Sequence, residues 1–142
     1  MKVCQIFFVN RGVDTSSILS PKKTGLNSDE SVQISEKIKV KTTSIDRFCE
    51  SQSIEKIDIL KMDIQGNELK ALLGAENLLK SHRISIIYLE TYFIQQYIAQ
   101  PLFSEIFSIL NSYDYDLQDL YNPIYGHGRI AWCDSVFIRR ER

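Results

Sequence analysis

The sequence predicts an α/β fold: a mixed sheet whose last two strands are antiparallel. Apolar segments with strand character alternate with segments of helical periodicity along the 142 residues. The last two strand segments, 115–121 and 130–138, are separated only by a turn-rich stretch, which predicts an antiparallel pair at a sheet edge. The length suits one modest core, so residues 1–142 are expected to form a single domain.

Composition and charge narrow the function classes. The net charge of -1 provides no overall basic field, which argues against nucleic acid and anionic membranes as partners. The first apolar run is too short for a secretory leader, and no stretch is long and apolar enough to span a bilayer. Cys4, Cys49 and Cys133 lack C-x-x-C spacing and predict reduced, mostly buried thiols of a cytoplasmic protein. No zinc site is expected, because the two histidines have no ligand spacing with the cysteines, and no residue is assigned as a metal ligand.

The first third of the chain contains two strand segments and a long polar stretch. Residues 3–9 are apolar and predict a strand, whereas residues 10–31 predict a loop long enough to be functional or mobile. Residues 38–42 alternate apolar and polar side chains, which is typical of a half-exposed strand. A helix follows, with Thr43 as the expected N-cap and Asp46 three residues later, as in a capping box.

Two buried strands and two further helices follow. Residues 57–63 predict a strand, and residues 67–80 predict a helix with a break near Gly74. Residues 84–90 are almost all apolar, which is typical of a parallel strand covered on both faces. Pro101 is expected to open the next helix, and residues 122–128 are expected to form a loop.

The end of strand 57–63 is the strongest candidate for a functional site. Asp63 ends the strand and Glu68 opens the next helix, at the sheet edge where open α/β folds bind ligands. Asp63 could orient a substrate hydroxyl, bind a metal or act as general base. Alternatively it caps the following helix. Glu68 could contact substrate, or it could simply be favoured by the helix dipole. Gln65 and Gly66 are expected to form the turn.

Three further residues are weaker candidates. Glu90 ends the strand 84–90 on the same side of the sheet and could share a proton or cation with Asp63, or pair with a lysine or arginine. His127 lies in a glycine-flanked loop and could serve as a base, although most loop histidines are only solvated. Tyr92 belongs to an aromatic group (with Phe93, Tyr97, Tyr121 and Tyr125) that either lines a substrate entrance or packs in the core.

Several of these segments resemble motifs of the FkbM methyltransferase family. Ile59–Glu68 is similar to that family's central L-K-x-D-[VI]-[EQ]-G-x-E, and Leu72–Ala75 is similar to its L-x-G-A. Thr43–Phe48 resembles T-L-D-x-F, Ile87–Glu90 resembles the next strand with its final glutamate, and Asp134–Phe137 resembles D-x-[LV]-F. The resemblance runs in order from about residue 38 to the end of the chain.

The resemblance implies a Rossmann-like class I methyltransferase sheet and S-adenosylmethionine as cofactor. It also implies O-methylation of a hydroxyl on a sugar or natural product, with a small molecule or glycan as acceptor. On this basis 57–63 corresponds to the family's fourth strand, 84–90 to its fifth, and the last two strands to its sixth and seventh. The site residues would be Asp63, Glu90 and His127 for catalysis, Asp63, Ile64 and Gln65 for the cofactor, and Glu68 and Tyr92 for the substrate.

The chain departs from the family pattern in one respect, which leaves alternative functions open. The chain has no G-x-G-x-G turn, so it resembles the C-terminal half of such an enzyme and is expected to lack the main cofactor cradle. Strand 57–63 would then have an unpaired edge that exposes Ile57, Ile59 and Met62 and invites a second copy or a partner chain. The alternatives are a non-catalytic remnant, a half-domain that depends on a partner, or an unrelated hydrolytic enzyme of the α/β class that uses Asp63 and Glu90 on a divalent metal.

Overall fold

A computed structural model describes residues 3–12, 14–22 and 33–141. The elements follow the predicted alternation, which confirms the α/β class and the mixed sheet. In chain order they are β1 (Val3–Asn10), β2 (Ile34–Thr42), α1 (Ile45–Ser51), β3 (Ile57–Met62), α2 (Glu68–Leu73), α3 (Glu76–Lys80), β4 (Ile84–Tyr92), α4 (Phe103–Ser112), β5 (Tyr115–Gly126) and β6 (Arg129–Arg139).

The main sheet has four strands in the order β3-β4-β6-β5. β3 and β4 are parallel, whereas β6 is antiparallel to both β4 and β5. The prediction of antiparallel last strands is therefore confirmed. Because β3 and β4 run in the same direction, their carboxyl ends meet at one edge of the sheet, next to the start of β6.

β1 and β2 form a separate antiparallel hairpin rather than joining this sheet. Part of the predicted 10–31 loop is described, and it packs back onto both sheets. Ser17 bridges to Phe8 of β1, and Pro21 bridges to Tyr97 beyond β4. Residues 14–22 thus lie across the carboxyl end of the main sheet, while residues 13 and 23–31 of that loop fall outside the described residues.

The hydrophobic core lies on one face of the main sheet. Ile87 and Leu89 of β4 are fully buried with Phe137 of β6, among side chains from α2, α3 and α4. The alternate residues Ile86 and Tyr88 are only half-buried. The expectation that this strand is covered on both faces is therefore wrong for the described residues, because their helices pack on a single face.

Helix ends differ slightly from the predictions. The N-cap of α1 is Ser44 rather than Thr43, and its hydroxyl accepts a hydrogen bond from the Arg47 amide at 3.3 Å. Asp46 does not complete a capping box on its own helix. Its carboxylate instead accepts hydrogen bonds from the amides of Asn77 and Leu78, at 2.9 and 3.1 Å, and so caps α3. The predicted break near Gly74 is confirmed by the separation of α2 from α3.

Two strands differ from their predicted extent or burial. β5 continues to Gly126, so the loop expected over 122–128 is reduced to a turn at 127–128. The outer edge of β3 pairs with no strand in the described part of the chain, and Ile59 there is 62% exposed. Met62 was expected to be exposed as well, but it is 5% exposed because it packs into the core. Ile57 is half-buried against the same core.

None of the helices in the described ranges combines the length and apolar character needed to cross a membrane.

Candidate active site

The turn that follows β3 has an unusual backbone. Gln65 and Gly66 both lie in the left-handed region, with φ of 51° and 94°. A Cβ atom at position 66 would lie 3.0 Å from Leu19 Cδ1 and 3.0 Å from Nε2 of the Gln100 side chain. The backbone conformation therefore favours glycine here, as the sequence predicted, and any larger residue would also require the Leu19 and Gln100 side chains to shift slightly.

Glu68 holds this turn in place through hydrogen bonds to its backbone amides. Its side chain is 2% exposed, and Oε1 accepts hydrogen bonds from the amides of Ile64 at 3.1 Å and Gly66 at 3.4 Å. Burial raises the pKa of Glu68 from its ordinary value of 4.5 to about 7, although the backbone hydrogen bonds oppose the rise. The carboxylate therefore points at the turn. The role in substrate binding stays a prediction, and this buried position does not favour it.

The Gln65 side chain joins two carboxylates at the carboxyl ends of β3 and β4. Asp63 directly follows β3, whereas Glu90 was expected to end its strand but lies two residues before the end of β4. The Gln65 Nε2 donates to Asp63 Oδ1 at 2.9 Å and to Glu90 Oε2 at 3.4 Å. Asp63 is exposed, whereas Glu90 is half-buried. The structure thus brings together the two carboxylates that the sequence placed at neighbouring strand ends, and it adds Gln65 as the group between them.

Two buried tyrosines complete this cluster, which we call the carboxylate cluster (Asp63, Gln65, Glu90, Tyr92 and Tyr97). The Tyr92 hydroxyl donates to Glu90 Oε2. The Tyr97 hydroxyl lies 2.8 Å from Gln65 Oε1 and 2.9 Å from the Thr15 carbonyl, and can donate to either. Burial, followed by the nearby Glu90 charge, raises the pKa of both phenols above their ordinary value. Both tyrosines therefore remain protonated donors at neutral pH.

The two carboxylates have different electrostatic surroundings. Burial raises the pKa of Glu90, and repulsion from Asp63 and Asp134 adds to the rise, while the Tyr92 hydrogen bond opposes it. An acid with a raised pKa is the better proton acceptor near neutral pH. Glu90 is therefore suited to take a proton from a hydroxyl, and the exposed Asp63 is suited to orient that hydroxyl.

The segment 14–22 supplies contacts that the sequence did not indicate. The Ser17 hydroxyl donates to the Gln65 carbonyl at 2.7 Å, and it accepts a hydrogen bond from the Leu19 amide at 3.0 Å. Ser17 is buried, and its contact with the Gln65 carbonyl secures the turn in addition to the contacts of Glu68. Its only sequence signal is a polar residue in a long loop.

A third carboxylate lies beside the cluster on β6. Asp134 is directly opposite Glu90 in the sheet register and accepts a hydrogen bond from the Asn122 side chain at 2.8 Å. A hydrogen bond from Tyr88 to Asp134 raises the pKa of that phenol to about 12. Within the described ranges, no three histidine, cysteine or acidic residues are arranged to hold a metal ion.

The remaining predicted residues have separate positions. His127 is exposed at the tip of the β5–β6 hairpin, and β6 starts five residues before Asp134, about 17 Å away at strand spacing. A catalytic role for His127 stays a prediction that this position does not favour. Phe93 stacks on Phe103 with ring centroids 4.9 Å apart. Tyr121 and Tyr125 are exposed on β5.

A cavity of about 520 Å³ lies on the other side of the same turn, between the β1–β2 hairpin and helices α1 and α2. Ile64 lines it, but Asp63, Gln65 and Glu90 do not. Its volume is within the range typical of small-molecule sites. The turn after β3 therefore separates two environments, the carboxylate cluster and this interhelical cavity.

Comparison with known protein families identifies the chain. The family model described as the methyltransferase FkbM domain matches residues 5–117. This match begins within β1, and so includes the hairpin that precedes the resemblance seen from residue 38. It ends early in β5, before the Asp134–Phe137 segment. No curated protein and no solved structure matches the chain. The matched region contains β3, its turn and β4, and the chain therefore belongs to the FkbM methyltransferase domain family.

Proposed function

We propose that this chain takes part in S-adenosylmethionine-dependent methyl transfer to a hydroxyl on a sugar or natural product. Family membership supports methyl transfer in general. The pairing of Asp63 with Glu90 through Gln65 is the observation that supports a hydroxyl acceptor, because oxygen methylation requires an oriented and partly deprotonated hydroxyl. The same reasoning favours a small molecule or glycan that reaches the exposed Asp63.

The residues present fit the reacting end of the cofactor. S-adenosylmethionine, when bound, supplies an electrophilic methyl group on a sulfonium cation. Asp63 and Glu90 provide negative charge next to Gln65, which suits a cation. Ile64 lines the cavity on the opposite side, where the charged lining residues in the described part of the chain are Arg47 and Lys70. Those cations do not suit a sulfonium, so Asp63 and Gln65 are the better candidates for cofactor contact and the role of Ile64 stays a prediction.

The protein groups have distinct tasks in this proposal. Glu90 accepts the proton of the acceptor hydroxyl, helped by its raised pKa. Asp63 holds the hydroxyl in position from the exposed side of the cluster. Tyr92 donates to Glu90 and keeps its carboxylate oriented, while Gln65 sets the spacing between the two carboxylates.

Titration calorimetry of S-adenosylmethionine with the purified chain tests cofactor binding. We expect micromolar binding that is lost in Asp63→Ala and retained in Asp58→Ala, which removes an exposed aspartate from the same strand. Transfer of a labelled methyl group to sugar and polyol acceptors then tests the reaction, with a fall of about 100-fold or more expected for Glu90→Gln. A folded chain with no cofactor binding would contradict the proposal for the chain acting alone.

The outer edge of β3 supports the second candidate, a half-domain that depends on a partner strand. Its backbone pairs with no strand in the described residues, and Ile59 is exposed beside it. An unpaired strand edge with exposed apolar side chains favours pairing with another chain. We propose that a second copy or a partner chain adds a strand there. Cofactor binding would then appear only in the assembly.

Sedimentation velocity separates these two candidates. Edge pairing predicts a dimer or larger species at tens of micromolar protein, and conversion to monomer by Ile59→Lys, which places a charge on the edge. Lys61→Arg is the matched control, since it preserves the charge on the same strand. A monomer at all concentrations would argue against self-pairing.

We also propose a cytoplasmic location, because Cys4, Cys49 and Cys133 are all unpaired thiols.

A further inference from the structure

The outer edge of β2 pairs with no strand in the described part of the chain. β2 pairs with β1 on one side only, and the two strands form a sheet of their own. The other side of β1 is covered, because the backbones of Phe8 and Ser17 hydrogen-bond to each other there. The outer amides and carbonyls of β2 are therefore available to another extended chain. This edge is separate from that of β3, which belongs to the main sheet.

Three lysines lie in a row on one face of this hairpin. They occupy alternate positions of β2 and are all exposed: Lys37, Lys39 and Lys41. Side chains two residues apart on a strand point the same way and are about 7 Å apart. The opposite face of the hairpin carries Gln5 and Thr42, which line the interhelical cavity. The lysine face is therefore directed away from that cavity and its helices.

The protein itself does not neutralise the charge of this row. None of the three lysines forms an ion pair with a residue in the described ranges. The Lys37 ammonium lies 5.6 Å from the centre of the Phe8 ring. Lys39 and Lys41 lie opposite Ile6 and Cys4 in the strand register, and neither neighbour is an acid. The face thus presents three like charges at regular spacing and attracts an anionic partner.

The charge spacing and the open edge together indicate which anion fits. Symmetric antiparallel pairing of two β2 strands would place one lysine row beside the other, which disfavours a second copy of this chain. Single-stranded nucleic acid would need exposed rings for base stacking, and the Phe8 ring on this face is half-buried. An extended peptide with an acid at every second position repeats its carboxylates every 7 Å or about that, as the lysines do. Its backbone can also hydrogen-bond to the β2 edge.

We propose that the outer edge of β2 binds an extended acidic segment of a partner protein, in which aspartate or glutamate alternates with apolar or β-branched residues. The segment adds a third strand to the hairpin, and its carboxylates pair with Lys37, Lys39 and Lys41. Its remaining side chains cover Ile38 on the opposite face, which is 37% exposed. No residue of the carboxylate cluster takes part, so the proposal does not rest on methyl transfer.

Fluorescence anisotropy with a labelled peptide of alternating glutamate and valine, matched to the 9 residues of β2, tests this binding. We expect saturable binding that is about ten-fold weaker in Lys39→Glu and within about two-fold in Lys39→Arg. Lys56→Glu makes the same charge change at an exposed lysine that pairs with Asp58, and should leave binding within about two-fold. Equal loss in both glutamate variants would overturn the proposal.

A peptide of the same composition with its glutamates in one block tests the spacing. It should bind at least about five-fold more weakly, because its carboxylates do not follow the 7 Å repeat, or about that, of the lysines. Single-stranded DNA of the same charge should also bind more weakly than the alternating peptide. Equal affinity for either control would overturn the proposal, because the lysines would then form a general surface for anions.

Two N-methylated versions of the alternating peptide test strand addition. Methylation at the glutamates or at the valines removes the backbone donors along one edge of the peptide and retains its charge. Only one edge can face β2, so one version should bind about ten-fold more weakly and the other within about three-fold. Backbone amide exchange should slow along Ile34–Thr42 and stay unchanged along Ile57–Met62. Equal binding of all three peptides, or slowed exchange in β3 instead, would overturn the proposal.

Discussion

Glu68 should make the stability of this protein depend on pH in a direction opposite to that of an ordinary surface carboxylate. Burial raises its pKa from 4.5 to about 7, so the folded state binds a proton more tightly than the unfolded chain between these values. The stabilisation is complete below pH 4.5 and is lost as the pH rises through about 7. At 1.36 kcal/mol for each pKa unit, the loss is about 3 kcal/mol.

Glu68→Gln tests this prediction because glutamine has nearly the same shape but does not titrate in this range. The free energy of unfolding of the native chain, relative to Glu68→Gln, should fall by about 3 kcal/mol between pH 4 and pH 8.5. Urea unfolding at a series of pH values measures this difference. Glu50→Gln, a change at an exposed position in α1, should follow the native curve. Parallel curves for Glu68→Gln and the native chain would refute the reasoning.

Three further changes test the packing that supports the site, each by urea unfolding at neutral pH. Gly66→Ala should lower the free energy of unfolding by about 2 kcal/mol, because of its φ of 94° and its close contacts. Gly128→Ala should lower it by only about 1 kcal/mol, because no atom lies near that position. Equal losses would show that the contacts at Gly66 contribute nothing. Asp46→Ala should cost about 1 kcal/mol through loss of the α3 cap, whereas the exposed Asp58→Ala should change stability by less than about 0.5. Phe137→Ala should cost about 3 to 5 kcal/mol, and a loss below about 1 would place it outside the core.

The elements of the fold were predictable where a local signal was strong. The break between α2 and α3 follows from Gly74 and from the polar Glu76 on the extrapolated apolar face. The choice between Thr43 and Ser44 as N-cap could not be predicted, because both residue types cap helices and backbone angles decide between them. The half-buried second face of β4 could not be predicted either, since an apolar strand sequence does not reveal how many helices cover it.

The candidate site was also only partly predictable from the sequence. Asp63 and Glu90 follow from strand ends, because parallel neighbours place their carboxyl ends together. The contacts of Tyr97 and Ser17 with Gln65 could not be predicted from the sequence, since they join residues 32 and 48 positions apart in the chain. A tyrosine beyond a strand and a serine in a loop have no spacing that predicts such a meeting. The orientation of Glu68 toward the turn likewise depends on backbone amides that no sequence pattern specifies.

The turn after β3 lies between the carboxylate cluster and the interhelical cavity. Gln65 reaches the carboxylates, Ile64 lines the cavity, and Glu68 holds the amides on either side of Gln65. A change in the turn itself, such as Gly66→Ala, should therefore disturb both sites together. Asp63→Ala instead truncates a side chain of the carboxylate cluster and Lys70→Ala truncates one that lines the cavity, and both leave the amide contacts of Glu68 intact. If each variant affected only its own site, the turn would act as a rigid partition. If either variant affected both sites, the turn would have to move between arrangements.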